Sequence, residues 1–240
     1  MKNILIPTTL QADTLTAVEI ALQQAQGESC TIVLMLVADV PHDYSASAVL
    51  RHSRQRYTPA QYTILAKCNA MVSSSLNCRM EMHNRLGVSA PLLKNLLKHL
   101  DIGLVILLPS YMAERLRVHR ECCRILTNSK TPVLHMCATA KDAHFSNALY
   151  LEDEQAKFDI QELQQMISGK FPVRIVSRAT FSDGQNPDDL AGILASSISQ
   201  NNIDLVVQTR KPGKFSANTK PHSLVSQSLG LPVLSLYEGA

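Results

Sequence analysis

Two tandem open parallel α/β sheets are the fold this sequence predicts, and three observations predict it. An apolar run, Leu104-Val105-Ile106-Leu107-Leu108, is stopped by Pro109-Ser110. A helix-length mixture from Ala113 to Asn128 follows, and a second apolar run, Thr131-Pro132-Val133-Leu134-His135-Met136, closes the unit. Short continuous apolar runs mark strands buried on both faces, and a helix between two of them reads as a parallel crossover. The third observation is repetition. Asp204-Leu205-Val206-Val207, a polar stretch and Leu231-Pro232-Val233-Leu234-Ser235-Leu236 restate the unit about a hundred residues later.

The remaining elements fall around these anchors. Lys2-Asn3-Ile4-Leu5-Ile6-Pro7 is a first strand. Asp13 to Gln26 carries Leu15, Val18, Ala21, Leu22 and Ala25 at helical spacing, with Asp13 or Thr14 as cap and Gly27 as stop. Thr31 to Val37 is a strand, Ala38 to Ser53 a loop, Pro59 to Ser74 a helix and Leu76 to Asn84 a strand. Ser89 to Leu100 is a helix with Leu92, Leu93, Leu96, Leu97 and Leu100 inward. After a short polar link, Ala138 to Ser146, a second set starts at Ala148-Leu149-Tyr150-Leu151. It continues with a helix from Gln155 to Ile167, a strand from Pro172 to Ala179, a loop from Phe181 to Asn186 and a helix opened by Pro187-Asp188-Asp189. This places domains at 1–138 and 147–240, the second a copy trimmed by one strand–helix unit.

Composition narrows the function classes. The chain has 240 residues, 45% hydrophobic and 18% charged, in the globular range. A net charge of +3 from 23 basic and 20 acidic residues supplies no field for nucleic acid. At 5% aromatic and no Trp, stacking platforms are scarce as well. No run approaches the roughly 20 apolar residues of a bilayer span, and Ile4–Pro7 is too short for a signal-peptide core. The expectation is a cytoplasmic protein with no nucleic-acid or membrane partner and six free thiols.

The strand anchors, with Gly87 before a helix that begins near Ser89-Ala90-Pro91, resemble the universal stress protein family, in two tandem copies. That resemblance implies an adenine nucleotide alpha hydrolase-like, Rossmann-like fold and a role in stress response. It also implies strand-edge pairing of Val133–Met136 with Val233–Leu236, an internal version of the family's dimer contact that leaves a further homodimer open. ATP-binding members carry Gly-x2-Gly-x9-Gly-(Ser/Thr) after the fourth strand, where backbone N–H groups and a helix N-terminus meet phosphate. Laid on that pattern, this chain has Leu108, Tyr111 and His119-Arg120 in the first copy, at a spacing two residues short. The second copy has Thr209, Pro212 and Thr219-Lys220, three residues short. Every glycine is absent. The family's strand-end aspartate, which helps hold adenosine, is Thr9 in the first copy and Asp153 in the second, within the acidic run Glu152-Asp153-Glu154. A helix cap is the competing role for Asp153.

Basic side chains gather in both loops and could replace the glycine loop in holding an anion. In the first loop they are Arg115, Arg117, His119, Arg120 and Arg124; in the second Arg210, Lys211, Lys214 and Lys220. Arg115, His119, Arg120, Arg210, Lys211 and Lys220 are the candidate ligand residues, with a solvated basic surface as the alternative. Cys122-Cys123, flanked by Arg120 and Arg124, is a candidate redox pair, because positive neighbours lower a thiol pKa. No zinc spacing, serine elbow or phosphate-binding glycine motif occurs. The leading expectation is therefore a non-catalytic stress-response or regulatory binding module without family-type ATP binding or cofactor. It would act on a protein partner or a small ligand. A nucleotide- or anion-binding protein, possibly a slow ATPase, is the second reading and a thiol sensor the third.

Overall fold

In the computed structural model, the structure describes residues 2–25, 27–40, 57–138, 144–153, 159–168, 171–181, 194–195, 197–210 and 230–238. The chain divides into two compact units between Thr131 and Pro132. The division falls ahead of the polar link, because the strand at Val133–His135 belongs with the later residues that it pairs with.

The first unit contains β1 (Asn3–Pro7), α1 (Asp13–Ala25), β2 (Cys30–Ala38), α2 (Pro59–Ser73), β3 (Cys78–Leu86), α3 (Ala90–His99), β4 (Ile102–Leu107), α4 (Pro109–Met112) and α5 (Arg117–Thr127). Its strands run in the order β3-β2-β1-β4, all parallel. β1 and β2 are buried along nearly their whole length, as continuous apolar runs require. Local chemistry sets the ends. Gly27 stops α1 at φ +80°, and Thr58 and Gln61 form a reciprocal capping box on α2. Ser89 caps α3, whose Leu93, Leu96 and Leu97 are buried while Leu92 stays exposed. At Gly87, φ is +68° and a Cβ would meet Val40 at 2.8 Å, so both torsion and space demand glycine.

Two expectations shift. Leu76 is fully exposed and β3 begins only at Cys78, so Leu76 is a turn residue. The helix expected from Ala113 to Asn128 is shorter, and a separate turn precedes it. Pro109 starts a single turn, and extended backbone at Leu116 (ψ 135°) forces a restart at Arg117.

The second unit contains β5 (Val133–His135), β6 (Asn147–Asp153), α6 (Ile160–Ser168), β7 (Arg174–Phe181), β8 (Leu205–Arg210) and β9 (Val233–Tyr237). Its order is β5-β9-β8-β6-β7. Among the described residues of this unit only β5–β9 is antiparallel, with Leu134 opposite Leu234, the edge pairing that the family resemblance implied. Leu149, Leu151, Leu194, Ile203, Val206 and Val233 form its core on one sheet face. The Asp204 carboxylate accepts from the N–H groups of Ser146 (2.8 Å) and Asn147 (3.1 Å) and fixes the start of β6. Burial raises its pKa. The helix expected from Gln155 begins at Ile160; residues 154–158, 182–193 and 211–229 lie outside the described residues, as does most of the loop expected from Ala38 to Ser53.

Both units place the topological switch alike. β1 lies between β2 and β4, and β6 lies between β7 and β8. In open α/β sheets ligands bind outside the carboxyl ends of the strands at such a point.

Candidate functional site

At the first switch point the chain leaves β1 through Thr8, Thr9 and Leu10. Thr8 Oγ1 lies 2.8 Å from Thr14 Oγ1 and accepts from Leu10 N–H, which helps hold Leu10 at φ +59°. The Gln61 side chain donates to the Thr9 carbonyl (3.1 Å). Thr9 thus meets a helix of its own unit where the family's aspartate would stand.

From β4 the chain turns into α4. Its Ser110 donates through backbone N–H (3.0 Å) and hydroxyl (2.7 Å) to the two oxygens of Asp13. A carboxylate from α1 therefore occupies the turn's leading donor. The sequence suggested Asp13 only as a cap for its own helix; nothing local foretold a partner 97 residues away.

Tyr111 and His119, laid on two glycine positions, point into the protein. Tyr111 is fully buried and His119 is 5% exposed, with ring centroids 4.9 Å apart. His119 Nε2 lies 2.9 Å from the Val37 carbonyl at the end of β2, and Nδ1 lies 3.9 Å from a Glu114 oxygen. The Tyr111 hydroxyl sits beside Cys122 without meeting hydrogen-bond geometry, and its burial raises its pKa strongly.

The structure therefore separates His119, which is buried, from Arg115 and Arg120, which are exposed. It follows Val118 into the core because α5 buries Val118, His119, Cys122, Ile125 and Leu126 on one side. Arg115, Arg117, Arg120 and Arg124 are exposed, and Arg124 is paired with Glu121. The cysteine pair straddles that stripe, with Cys122 buried in it and Cys123 half-buried beside it. Burial pushes the Cys122 thiol up to about 11 and Cys123 to about 12, opposite to the direction expected from the flanking arginines. Those guanidiniums face solvent, so desolvation outranks them. All six cysteines are free.

At the second switch point the cast is different. Residues in register on neighbouring strands point the same way. Tyr150 is in register with Arg178 of β7 and Val207 of β8. One face therefore carries Tyr150, Glu152, Arg178 and Thr209, with Glu238 following on beyond β9. Thr209, at the first glycine position, donates from Oγ1 to Glu238 Oε1 (2.7 Å). Arg178 is ion-paired to Glu152 through Oε2.

Arg210 lies on the opposite face at the end of β8, 8% exposed, with burial lowering its guanidinium pKa to about 10. Arg210 is therefore a buried cation, whereas Arg115 and Arg120 are exposed. Asp153 is the last residue of β6, opposite Phe181. Lys211 and Lys220 lie outside the described residues. A depression of about 320 Å³ lined by Ser146, Gln164, Phe171 and Arg174 opens at the amino ends of β6 and β7, away from the switch point. No group of three or more His, Cys, Asp or Glu gathers as a metal site among the described residues. None of the described helices is long and apolar enough to cross a membrane.

No family profile matches the sequence, and no curated protein matches it. Solved structures do match its fold. A universal stress protein from Archaeoglobus fulgidus superposes with a TM-score of 0.58 at 12% identity, covering 99% of this chain and 96% of that one. A functionally unknown protein from Pseudomonas aeruginosa gives 0.51 at 12% identity, covering 99% and 92%. Another Pseudomonas aeruginosa protein, described as a universal stress protein, gives 0.50 at 13% identity, covering 99% and 93%. The chain has the tandem universal stress protein fold.

Proposed function

We propose that this chain is a non-catalytic tandem binding module of the universal-stress-protein type, and that neither unit binds ATP in the family's manner. It serves stress response or regulation through a protein partner or a small ligand. The observation that carries the reading is the Tyr111–His119 ring contact. Two positions where a phosphate loop needs bare backbone hold interior rings instead, and a nearby N–H is bonded to Asp13. In the second unit, Thr209 replaces glycine and its hydroxyl is engaged by a carboxylate, which repels phosphate.

Calorimetry with Mg-ATP at physiological ionic strength tests the reading. The expected result is no micromolar binding and phosphate release at background. A stoichiometric micromolar signal would overturn it, and Arg120→Ala and Lys220→Ala would then locate the site.

A further inference from the structure

The second switch point holds two buried oxygens without partners. Tyr150 is fully buried and its hydroxyl has no hydrogen-bond partner. It lies near Thr209 Oγ1, outside hydrogen-bond geometry. Glu238 is 6% exposed; its Oε1 accepts from Thr209, while its Oε2 is buried and accepts from nothing. The charged side chains acting on the Tyr150 hydroxyl are Glu152, Glu238 and Arg178. That is two carboxylates against one guanidinium, and the guanidinium is committed to Glu152.

From this arrangement we infer that the carboxyl end of β6 and β8 is a binding site for the ammonium group of a small primary amine. An ammonium has three N–H donors and no acceptor. Thr209 gives its proton to Glu238 Oε1, so its oxygen faces any newcomer as an acceptor. With Tyr150 Oη and Glu238 Oε2 it makes three acceptors, one of them a carboxylate oxygen. A buried, unpaired carboxylate oxygen is unfavourable until a charge or donor meets it, and a cationic donor supplies both. An anion is repelled by Glu152 and Glu238. A divalent metal is poorly served, since hard cations take six or more oxygens and this face offers one uncommitted carboxylate.

The inference rests on the binding-module reading and names a ligand class for its second unit. Thermal unfolding of the full chain, with methylammonium chloride against tetramethylammonium chloride at matched ionic strength, tests it. The two cations share a charge, but only methylammonium has N–H donors. Methylammonium is expected to raise the midpoint saturably and tetramethylammonium to leave it unchanged. Glu238→Gln should weaken the response at least tenfold, and Tyr150→Phe should weaken it less. Tyr150→Phe removes an unpartnered hydroxyl. Glu238→Gln keeps an oxygen to accept from Thr209 while placing an N–H donor toward the leftover acceptors. Their ligand-free midpoints should therefore not fall, which separates lost binding from lost folding. Equal responses to the two salts, or a response unchanged in both variants, would overturn the site; the oxygens would then hold a buried water only. Mg-ATP run alongside keeps the outcomes apart. A micromolar ATP response overturns the function proposed above and leaves the amine result to stand or fall alone.

Discussion

At the carboxyl end of β1 and β4 the side chains are a tyrosine ring, a histidine ring and a carboxylate bonded to the turn it faces. At that of β6 and β8 they are a tyrosine hydroxyl, a threonine hydroxyl and two carboxylates, with two buried oxygens unsatisfied. Strand order around the two points is the same. What differs is the kind of group left over. At the first point Tyr111 and His119 fill the space with rings, and the atoms left over are a tyrosine hydroxyl and an imidazole nitrogen. At the second, one of them is a carboxylate oxygen. Tyr150, Thr209 and Glu238 leave acceptors over, and leftover acceptors are what a ligand with donors can recognise.

The sharpest way to break this comparison is to empty the first unit. Tyr111→Ala removes a fully buried ring and the contact that seats His119. Cavity formation at such a site is expected to lower stability by about 3–5 kcal/mol. Urea unfolding reads it, and a loss below about 1 kcal/mol would mean that the first switch point is loosely filled. Tyr111→Phe keeps the ring, drops an unpartnered hydroxyl and should be close to neutral.

Asp13→Ala comes next. It removes the acceptor for the Ser110 N–H and hydroxyl, both partly buried. Hydrogen bonds to a charged group contribute about 1.5–3 kcal/mol, so a loss of about 2 kcal/mol is expected in the same experiment. If Mg-ATP binding also appeared in this variant, the carboxylate would be the element that keeps phosphate out.

The architecture was legible because periodicity and repetition are local signals. Leu104–Leu108 and Leu205–Val207 announced buried parallel strands, and Gly27, Thr58 and Ser89 mark helix ends whose capping chemistry lies within three residues. The site was legible in what it lacks, the glycines, and not in what replaces them. Charge alone suggested that His119 and Arg210 face an anion. The structure buries both, and burial depends on which side of α5 or β8 meets the sheet. Asp13–Ser110 and Thr209–Glu238 join residues far apart in sequence, so no local pattern carries them.

Alkaline pH sharpens the comparison from the thiol side. Burial raises Cys30, Cys68 and Cys122 to about 11 and Cys123 to about 12, all in the first unit. A group whose pKa is raised on folding stabilises the fold fully below its unfolded pKa and loses that contribution as pH climbs through the folded value. Stability should therefore hold to about pH 8.5, the ordinary thiol value, and decline toward pH 11. At neutral pH, Cys122 and Cys123 should alkylate at least about a hundredfold more slowly than in denatured protein, since only the thiolate reacts. Mass-mapped alkylation checks this. Equal rates in the two states would restore the pair as a redox candidate.

The smallest effect is expected at the arginines that first drew attention. Arg115 and Arg120 are exposed, one just before α5 and one within it, and Leu116 caps that helix without any side-chain hydrogen bond. Exposed substitutions away from caps and pairs usually change stability within about 0.5 kcal/mol. The double variant Arg115→Ala, Arg120→Ala should therefore unfold with the parent chain. Should these side chains form the anion site that their sequence clustering suggested, inorganic phosphate would stabilise the parent more than the variant at low salt, and screening would erase the difference near physiological ionic strength. The expected result is no difference at either salt, because the two guanidiniums lack the buried His119 as a third partner. A phosphate response confined to the parent would show that the first unit also keeps a ligand-facing surface, on the outer side of α5.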